Sequence, residues 1–363
     1  MTKAAELAKM GEVLTNGQIG GRRNIAINGA MQISQRSTSV TGIGASAGYF
    51  TLDRFRISPA STAGRLTMTQ TADGPSGFAN CLKLDCTTAD ASIAAGERLI
   101  LQHKIEGQDL QQLKKGTSDA EEFTVSFYVK GNASATYVVE IFDLDNTRQI
   151  SKTFSVTTGW TRVILTFPAD TTGALGDDNA ASLQIGIWLH AGSTYTSGTL
   201  NSSAFAANTD ANRAVGISSF FDSTDRTFFL TGLQMEVGSQ ATPFEHRSFG
   251  EELALCQRYF QQSYAHGTAA GTTTDTGMVI RFADAGHSYA GHWITFKTEM
   301  RAAPTGNVYN TATGNADSIR DDDGNHNADV GQPATHGMHV YANNSAIGGS
   351  EGVKAQYTAD AEL

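Results

Sequence analysis

The stretch FTVSFYVK, residues 123–130, decides the fold, because Phe123, Val125, Phe127 and Val129 alternate with Thr124, Ser126, Tyr128 and Lys130. A period of two puts the apolar set on one side of an extended chain, the mark of a strand with one buried face. Outward from it, similar runs recur at Tyr137 to Phe142, Lys152 to Val156, Trp160 to Phe167, Leu183 to His190 and Arg226 to Val237. Upstream, Asn24 to Ile33 reads as the first strand of the same sheet system. Turn-rich stretches such as Gly173 to Asn179 and Tyr195 to Asn212 separate the runs, and no ten-residue helical pattern intervenes. Strands without crossover helices pair antiparallel, so residues 24–247 are predicted to form an all-β jelly-roll sandwich.

The flanks read differently. Leu7, Met10 and Leu14 fall at three- and four-residue spacing among Glu6, Lys9 and Glu12, which predicts a short amphipathic helix within residues 1–23. A helix that short is marginal alone in water, so it is expected to anchor in a neighbour or to pack against its own symmetry mates. Asn16-Gly17 and Gly20-Gly21 mark the joint behind it. Beyond the sandwich, Ser248 and Glu251 form a capping box that opens a linking helix, residues 248–264, running through Leu253, Leu255, Cys256, Tyr259 and Phe260. After the Gly/Thr-rich joint Ala265 to Thr274, residues 265–363 read as a second, smaller β-domain. Its strands are expected at Met278 to Phe282, His292 to Phe296, Gly306 to Tyr309 and Val353 to Thr358, with a polar loop Asn315 to Pro333. No short-period repeat points to a solenoid or propeller.

Composition narrows the function. The 363 residues are 40% hydrophobic and only 17% charged, with 38 glycines, which describes an adequate core under a neutral-polar surface. A formal net charge of -10 and the lack of a concentrated Lys/Arg footprint argue against nucleic acid as a partner. No apolar run approaches the roughly 20 residues of a bilayer-spanning helix, and MTKAAELAKMGEVL lacks a signal-peptide core, so synthesis in a cytoplasm without membrane insertion is expected. Cys81 and Cys86 lie on opposite faces of a strand, and all three cysteines, with Cys256, are expected to be free thiols.

Three segments carry a resemblance: NIAINGAMQISQRST from Asn24, YFTLDRF at Tyr49 to Phe55, and LTGLQMEVGSQATPFEHRSFGEELALCQRYF at Leu230 to Phe260. HKIEGQDLQQLKKGTS, FTVSFYVKG and YTADAEL add to it. Together they resemble a group of tailed-phage structural proteins, especially from phages of cyanobacteria and marine bacteria. The resemblance implies a non-catalytic jelly roll similar to carbohydrate-binding modules, carried on the virion. The expected role is a tail fibre or receptor-binding component that recognises a host surface glycan, as a homotrimer held to other virion proteins by the N-terminal segment. A head-decoration or baseplate component is the alternative within that class, and a glycan-degrading tailspike the alternative outside it.

Catalytic constellations are missing: there is no phosphate-cradling Gly-rich loop, HExxH, paired CxxC or nucleophile elbow. Asp53 beside Arg54 suits a salt bridge or turn, and the carboxylates Glu97, Glu106, Asp109, Glu140, Asp143 and Asp145 cannot be paired by sequence. For sugar binding, LQIGIWLH at 183–190 places Gln184, Trp188 and His190 on the face opposite its leucines and isoleucines, with Tyr195 and Trp293 as further aromatic candidates. The competing reading, which a Trp in a sandwich strand favours, puts Trp188 in a core, under a loop or a partner subunit. Asp321, Asp323 and Asn325 alternate like the start of a calcium loop, but the glycine stands at the fourth position and no closing glutamate follows, which favours a solvated turn. His287, His292, His336 and His339 enrich the C-terminal domain in imidazole without a metal-ligand spacing. In LTGLQMEVG, Leu233, Met235 and Val237 are expected to face the core, with Gln234 and Glu236 outward. Gly232 is expected to allow close backbone approach, and Phe244 to pin the outgoing chain.

Overall fold

The computed structural model describes residues 3–5, 23–282, 291–321, 324–342 and 352–363. Residues 3–5 are helical, while Leu7, Met10 and Leu14 lie outside the described residues. The first unit is built from β1 (Ser39–Ile43), β2 (Gly48–Tyr49), β3 (Arg56–Ala60), β4 (Arg65–Thr71), β5 (Cys81–Thr88), β6 (Arg98–Glu106) and β7 (Phe123–Gly131). It continues with β8 (Ala135–Asp143), β9 (Arg148–Val156), β10 (Thr161–Phe167), β11 (Ala181–Ala191), β12 (Ala206–Ala207) and β13 (Thr227–Val237). One sheet runs β1-β4-β5-β13-β7-β10 and the other β12-β9-β8-β11-β6-β3-β2, with antiparallel pairing throughout. Two such sheets face to face make the jelly-roll sandwich expected of the alternation.

Strand β7 shows why. Phe123, Val125, Phe127 and Val129 are at most 3% exposed and meet residues of the opposite sheet, as where Phe127 sets its edge on Phe154 with ring centroids 5.2 Å apart. Its other face is less open than a two-sided alternation suggests. Thr124 Oγ1 donates to the Gly238 carbonyl (2.7 Å), and Arg162 of the neighbouring β10 reaches over to the Ser126 hydroxyl (3.2 Å), so returning chain covers the first and a side chain the second. Gln234 and Glu236 of β13 differ from expectation for the same reason. Both are 0% exposed, because Thr242 donates its N–H (2.9 Å) and hydroxyl (2.6 Å) to the Glu236 carboxylate, and Glu245 N–H caps Gln234 Oε1 (2.8 Å). The chain leaving β13 thus folds back over that face, and Phe244 is pinned against Phe78 with centroids 5.0 Å apart. At Gly232 (φ +66°) a Cβ would stand 2.8 Å from the Phe78 ring and 2.9 Å from the Tyr128 ring, so the backbone approach there requires glycine.

Asn24 to Ile33 is not a strand. Asn28 and Met31 take left-handed φ of 60° and 56°, and the Asn28 amide donates to the carbonyls of Ile33 (2.8 Å) and Asp53 (3.0 Å) while accepting from Ile33 N–H (2.9 Å). A short polar side chain has replaced the ladder with bonds to local backbone. Cys81, Cys86 and Cys256 are buried free thiols.

The linking helix spans Phe249–Gln257 and carries the predicted capping box, with Ser248 Oγ accepting Glu251 N–H (3.3 Å) and the Glu251 carboxylate accepting Ser248 N–H (3.0 Å). It stops short of Tyr259 and Phe260, because Phe260–Gln262 extends as β14 of the second unit. That unit adds β15 (Val279–Phe282), β16 (Gly291–Thr295), β17 (Thr305–Tyr309), β18 (Ser318–Arg320), β19 (Asn325–Ala334), β20 (Gly337–Ala342) and β21 (Gly352–Asp360). Strand β21 is its hub, pairing with β14, β15, β17 and β18, and Val308, Met338, Tyr357 and Ala359 lie in its own small core. The predicted polar loop 315–333 is largely β18 and β19. Most of β19 is exposed or half-exposed, so polar residues stand on both of its sides and no alternation marks it.

A buried charge knot ties the end of β21 to the sandwich. Arg54, 1% exposed, pairs with Glu362, donates to the Lys104 carbonyl (2.7 Å), and lies 3.4 Å above the Tyr259 ring. Arg36 reaches Asp360 (3.0 Å), Glu362 (3.3 Å) and Asp53 (3.7 Å). The adjacent acid and base of YFTLDRF therefore serve packing rather than catalysis. Burial pushes the Asp53 carboxyl up from 3.8 to about 6, against the opposing pull of Arg36 and the Gln35 amide. A carboxyl raised in the folded state holds its proton more tightly there, so its contribution to stability is complete below about pH 4 and is lost as pH rises through about 6. Chemical denaturation across that range should show wild type losing stability with rising pH and Asp53→Asn losing less. Parallel profiles for the two proteins would refute this.

Candidate functional site

The sequence places Gln184, Trp188 and His190 on the face of β11 opposite Leu183, Ile185, Ile187 and Leu189; the structure does so for Gln184 and Trp188, but a register shift after Trp188 turns His190 to the side of Leu99, against Phe221. That face is nevertheless closed. Gln184, Trp188, His190 and Tyr195 are 5%, 0%, 0% and 7% exposed, because the chain between β11 and β13 lies across the sheet. Trp188 packs on Tyr195 (centroids 5.1 Å), Ile100, Val138 and Ala214, and its Nε1 donates to Glu140 (3.0 Å). Arg213, from the covering segment, grips the same carboxylate through Nε (2.7 Å) and a terminal nitrogen (2.9 Å), with its guanidinium 4.9 Å from the indole ring. Arg98 donates to the Tyr195 hydroxyl (2.6 Å). The open aromatic platform is therefore replaced by a covered core, which is the competing reading of Trp188. Alternation reports which face a residue takes and not what lies over it. Trp293 is 39% exposed on β16, beside His336.

The predicted calcium turn closes on itself. Asp321 accepts Gly324 N–H (2.8 Å) and meets His326 Nε2 (2.8 Å), while Asn325 Oδ1 accepts from the Asn310 amide (2.9 Å). Asp323 lies outside the described residues, as does His287. His292 and His339 stand on neighbouring strands, with His339 stacked on Tyr341.

A concave site lies elsewhere, at the seam between sandwich and linking helix. A cleft of about 310 Å³ opens there between residues 24–27, 108–112 and 247–259. Two 3-10 turns, Gly107–Asp109 and Gln111–Leu113, build one wall. Leu110 and Leu113 plug the core at 1% and 2% exposure, so Gln108, Asp109 and Gln112 must project outward along the rim. Gly107 makes the tight entry possible, since a Cβ there would stand 2.2 Å from the Gly176 carbonyl oxygen. Ile25, Ile27 and Leu255 give the cleft its apolar lining.

Two arginines complete it. Arg258 forks onto Glu106 (2.9 and 2.7 Å); burial raises that carboxyl, but the hydrogen bonds from Arg258 and Tyr259 outweigh it and hold it below the usual range. Arg247 crosses to the carbonyls of Asn24 and Ala26 and to Glu252 (3.2 Å), leaving its Nε, among the described residues, without a hydrogen-bond partner. Amide, carboxylate and guanidinium groups thus converge on an apolar lining, which suits an uncharged ligand rich in hydroxyls. Sequence reasoning missed this cleft because its three walls are more than seventy positions apart. A signal was nonetheless present, since each wall belongs to a segment quoted above for the resemblance: NIAINGAM, HKIEGQDLQQLKKGTS and FEHRSFGEELALCQRYF.

No protein-family model matches the chain, and no curated protein matches it. Among solved structures it is similar to a CBM4 module at 10% identity and a TM-score of 0.31, over 58% of this chain and 98% of that one. It is similar to the enzymatically active domain of tailspike protein 4 of bacteriophage CBA120 at 12% identity and a TM-score of 0.31, over 59% of this chain and 21% of that one. A third likeness, at 12% identity and a TM-score of 0.28, is to the CBM22-1 xylan-binding domain of Paenibacillus barcinonensis Xyn10C, over 58% of this chain and 98% of that one.

Proposed function

We propose that this protein is a non-enzymatic virion component of a tailed phage, of tail-fibre or receptor-binding type, that holds a host surface oligosaccharide in the seam cleft. The observation that carries the reading is the meeting of Gln108, Asp109 and Gln112 with Arg247 and Arg258 across an apolar lining. Hydroxyls need such interspersed donors and acceptors, and a sugar ring's C–H face needs the apolar floor. The net charge of -10 agrees with a neutral ligand better than with nucleic acid. Hydrolysis draws no support here. The raised carboxyl of Asp53 is 0% exposed and lies outside the cleft, and Glu106 is neutralised by Arg258.

In this reading the N-terminal segment with Leu7, Met10 and Leu14 joins copies as a homotrimer or docks them on other virion proteins. A modest single-site affinity then rises through multivalency. Binding of bacterial surface oligosaccharides to the full chain tests the proposal by calorimetry. Asp109→Ala and Gln112→Ala, both at exposed rim positions, should each weaken binding by roughly fivefold to tenfold, the loss of about one hydrogen bond. Unchanged affinity in the double variant, or release of reducing ends from the polysaccharide, would overturn it.

A further inference from the structure

Away from the cleft, three metal-ligating side chains meet at one end of the sandwich. Asp90 follows β5, Glu97 precedes β6 and His190 lies near the end of β11. One oxygen or nitrogen from each stands within 4.8 Å of the others, and the residues are 6%, 6% and 0% exposed. Among the described residues no lysine or arginine pairs with either carboxylate; the salt-bridge partner of Glu97 is His190. Two buried carboxylates facing one imidazole are a charge that a protein interior tolerates by pairing or by a metal.

The spacing of His190 and Glu97 suits the second. His190 Nε2 stands 3.4 Å from Glu97 Oε2. That exceeds the roughly 2.7–3.2 Å of an ordinary N–H···O bond. It matches the roughly 3.3–3.5 Å between neighbouring ligands of a tetrahedral ion whose bonds are about 2.0–2.2 Å. An outer ring of partners already orients the ligands. His190 Nδ1 lies 2.8 Å from Ser219 Oγ, and Asp90 Oδ2 accepts from the Thr62 hydroxyl and Ala63 N–H, both at 2.8 Å. Ser219, His190 and Glu97 also line up as a nucleophile, a base and an acid would. However, the Ser219 hydroxyl caps the following turn by accepting Phe221 N–H (3.1 Å), and the imidazole is wholly covered.

We propose that Asp90, Glu97 and His190 bind one divalent transition-metal ion of the zinc type, with water as the fourth ligand. One imidazole nitrogen and two carboxylate oxygens suit zinc or cobalt better than calcium, which prefers an all-oxygen shell. Bound there, the ion staples the β5–β6 connection to the end of β11, next to the segment that covers Trp188, and so acts as a structural clamp. This site is independent of the cleft and of any glycan.

The test is to strip the full-length protein with chelator and titrate it with Co²⁺ and then Zn²⁺. Expected are one Co²⁺ per chain with the intense visible bands of four-coordinate geometry, displacement of those bands by Zn²⁺, and a higher melting temperature with metal. Glu97→Gln, close to isosteric, should weaken binding at least tenfold, and so should His190→Gln. His292→Ala and His339→Ala, which replace other imidazoles, should leave it unchanged. Absence of stoichiometric Co²⁺ binding in wild type, or loss of binding in the His292 or His339 variants with Glu97→Gln unaffected, would overturn the site. The wild-type titration decides even where a variant fails to fold.

Discussion

Glu362→Ala is expected to lower the free energy of unfolding by about 3–5 kcal/mol, the cost of removing one partner from a buried ion pair. Glu362 is the counter-ion of Arg54, whose side chain is 1% exposed, and it also lies 3.3 Å from Arg36. Without it, the Arg54 guanidinium keeps the Lys104 carbonyl and the Tyr259 ring but no carboxylate. Water cannot easily replace the lost partner at a site this closed, so the charge stays poorly compensated. The midpoint of guanidinium-induced unfolding should shift accordingly, with the second unit held less firmly to the sandwich by the remaining Arg36–Asp360 pair. A midpoint within error of wild type would show that the knot contributes nothing net.

A loss of similar size, about 3–5 kcal/mol, is expected for Arg213→Ala, by the same mechanism at β8 of the seven-stranded sheet. Glu140 is 0% exposed, and after the substitution its carboxylate retains the Trp188 indole N–H but no cation. The covering segment loses its grip on the sheet at the same step, so Trp188 fluorescence should move to longer wavelength as water reaches the ring. Replacing both partners, Glu140→Gln with Arg213→Met, should recover much of the stability, since a buried pair costs most when broken singly. Wild-type stability in Arg213→Ala would mean that the cover is held by its apolar contacts alone.

These two clusters mark the limit of what the amino-acid order reveals. Strands with one apolar face were legible: the runs at 123–130, 137–142, 160–167 and 226–237 lie on β7, β8, β10 and β13 with small errors at their ends. The capping box at Ser248 and Glu251 was legible because its bonds join residues three apart. Local side-chain chemistry was harder. Asn28 turned a β-like run into a bent segment through bonds to its own neighbourhood, and β19 hid because neither of its faces is apolar. That a loop could cover the Trp188 face was legible, but not which residues would do so. Gln184 and Trp188 stand on the side that periodicity assigns, but the lid over them comes from residues such as Arg213 and Ala214, which periodicity does not address. The cleft was hidden for the same reason, since Ile25, Asp109 and Leu255 become neighbours only through the fold.

The position of β21 sets an order of events on the ribosome. Every strand of the sandwich is translated before the second unit begins, so that body can close while synthesis continues. The second unit lacks its hub until the stretch from Gly352 onward has emerged, because β14, β15, β17 and β18 all pair with it. Over that interval the nascent sandwich carries Arg36 and Arg54 without Asp360 and Glu362, and the arrival of those two acids closes the charge knot.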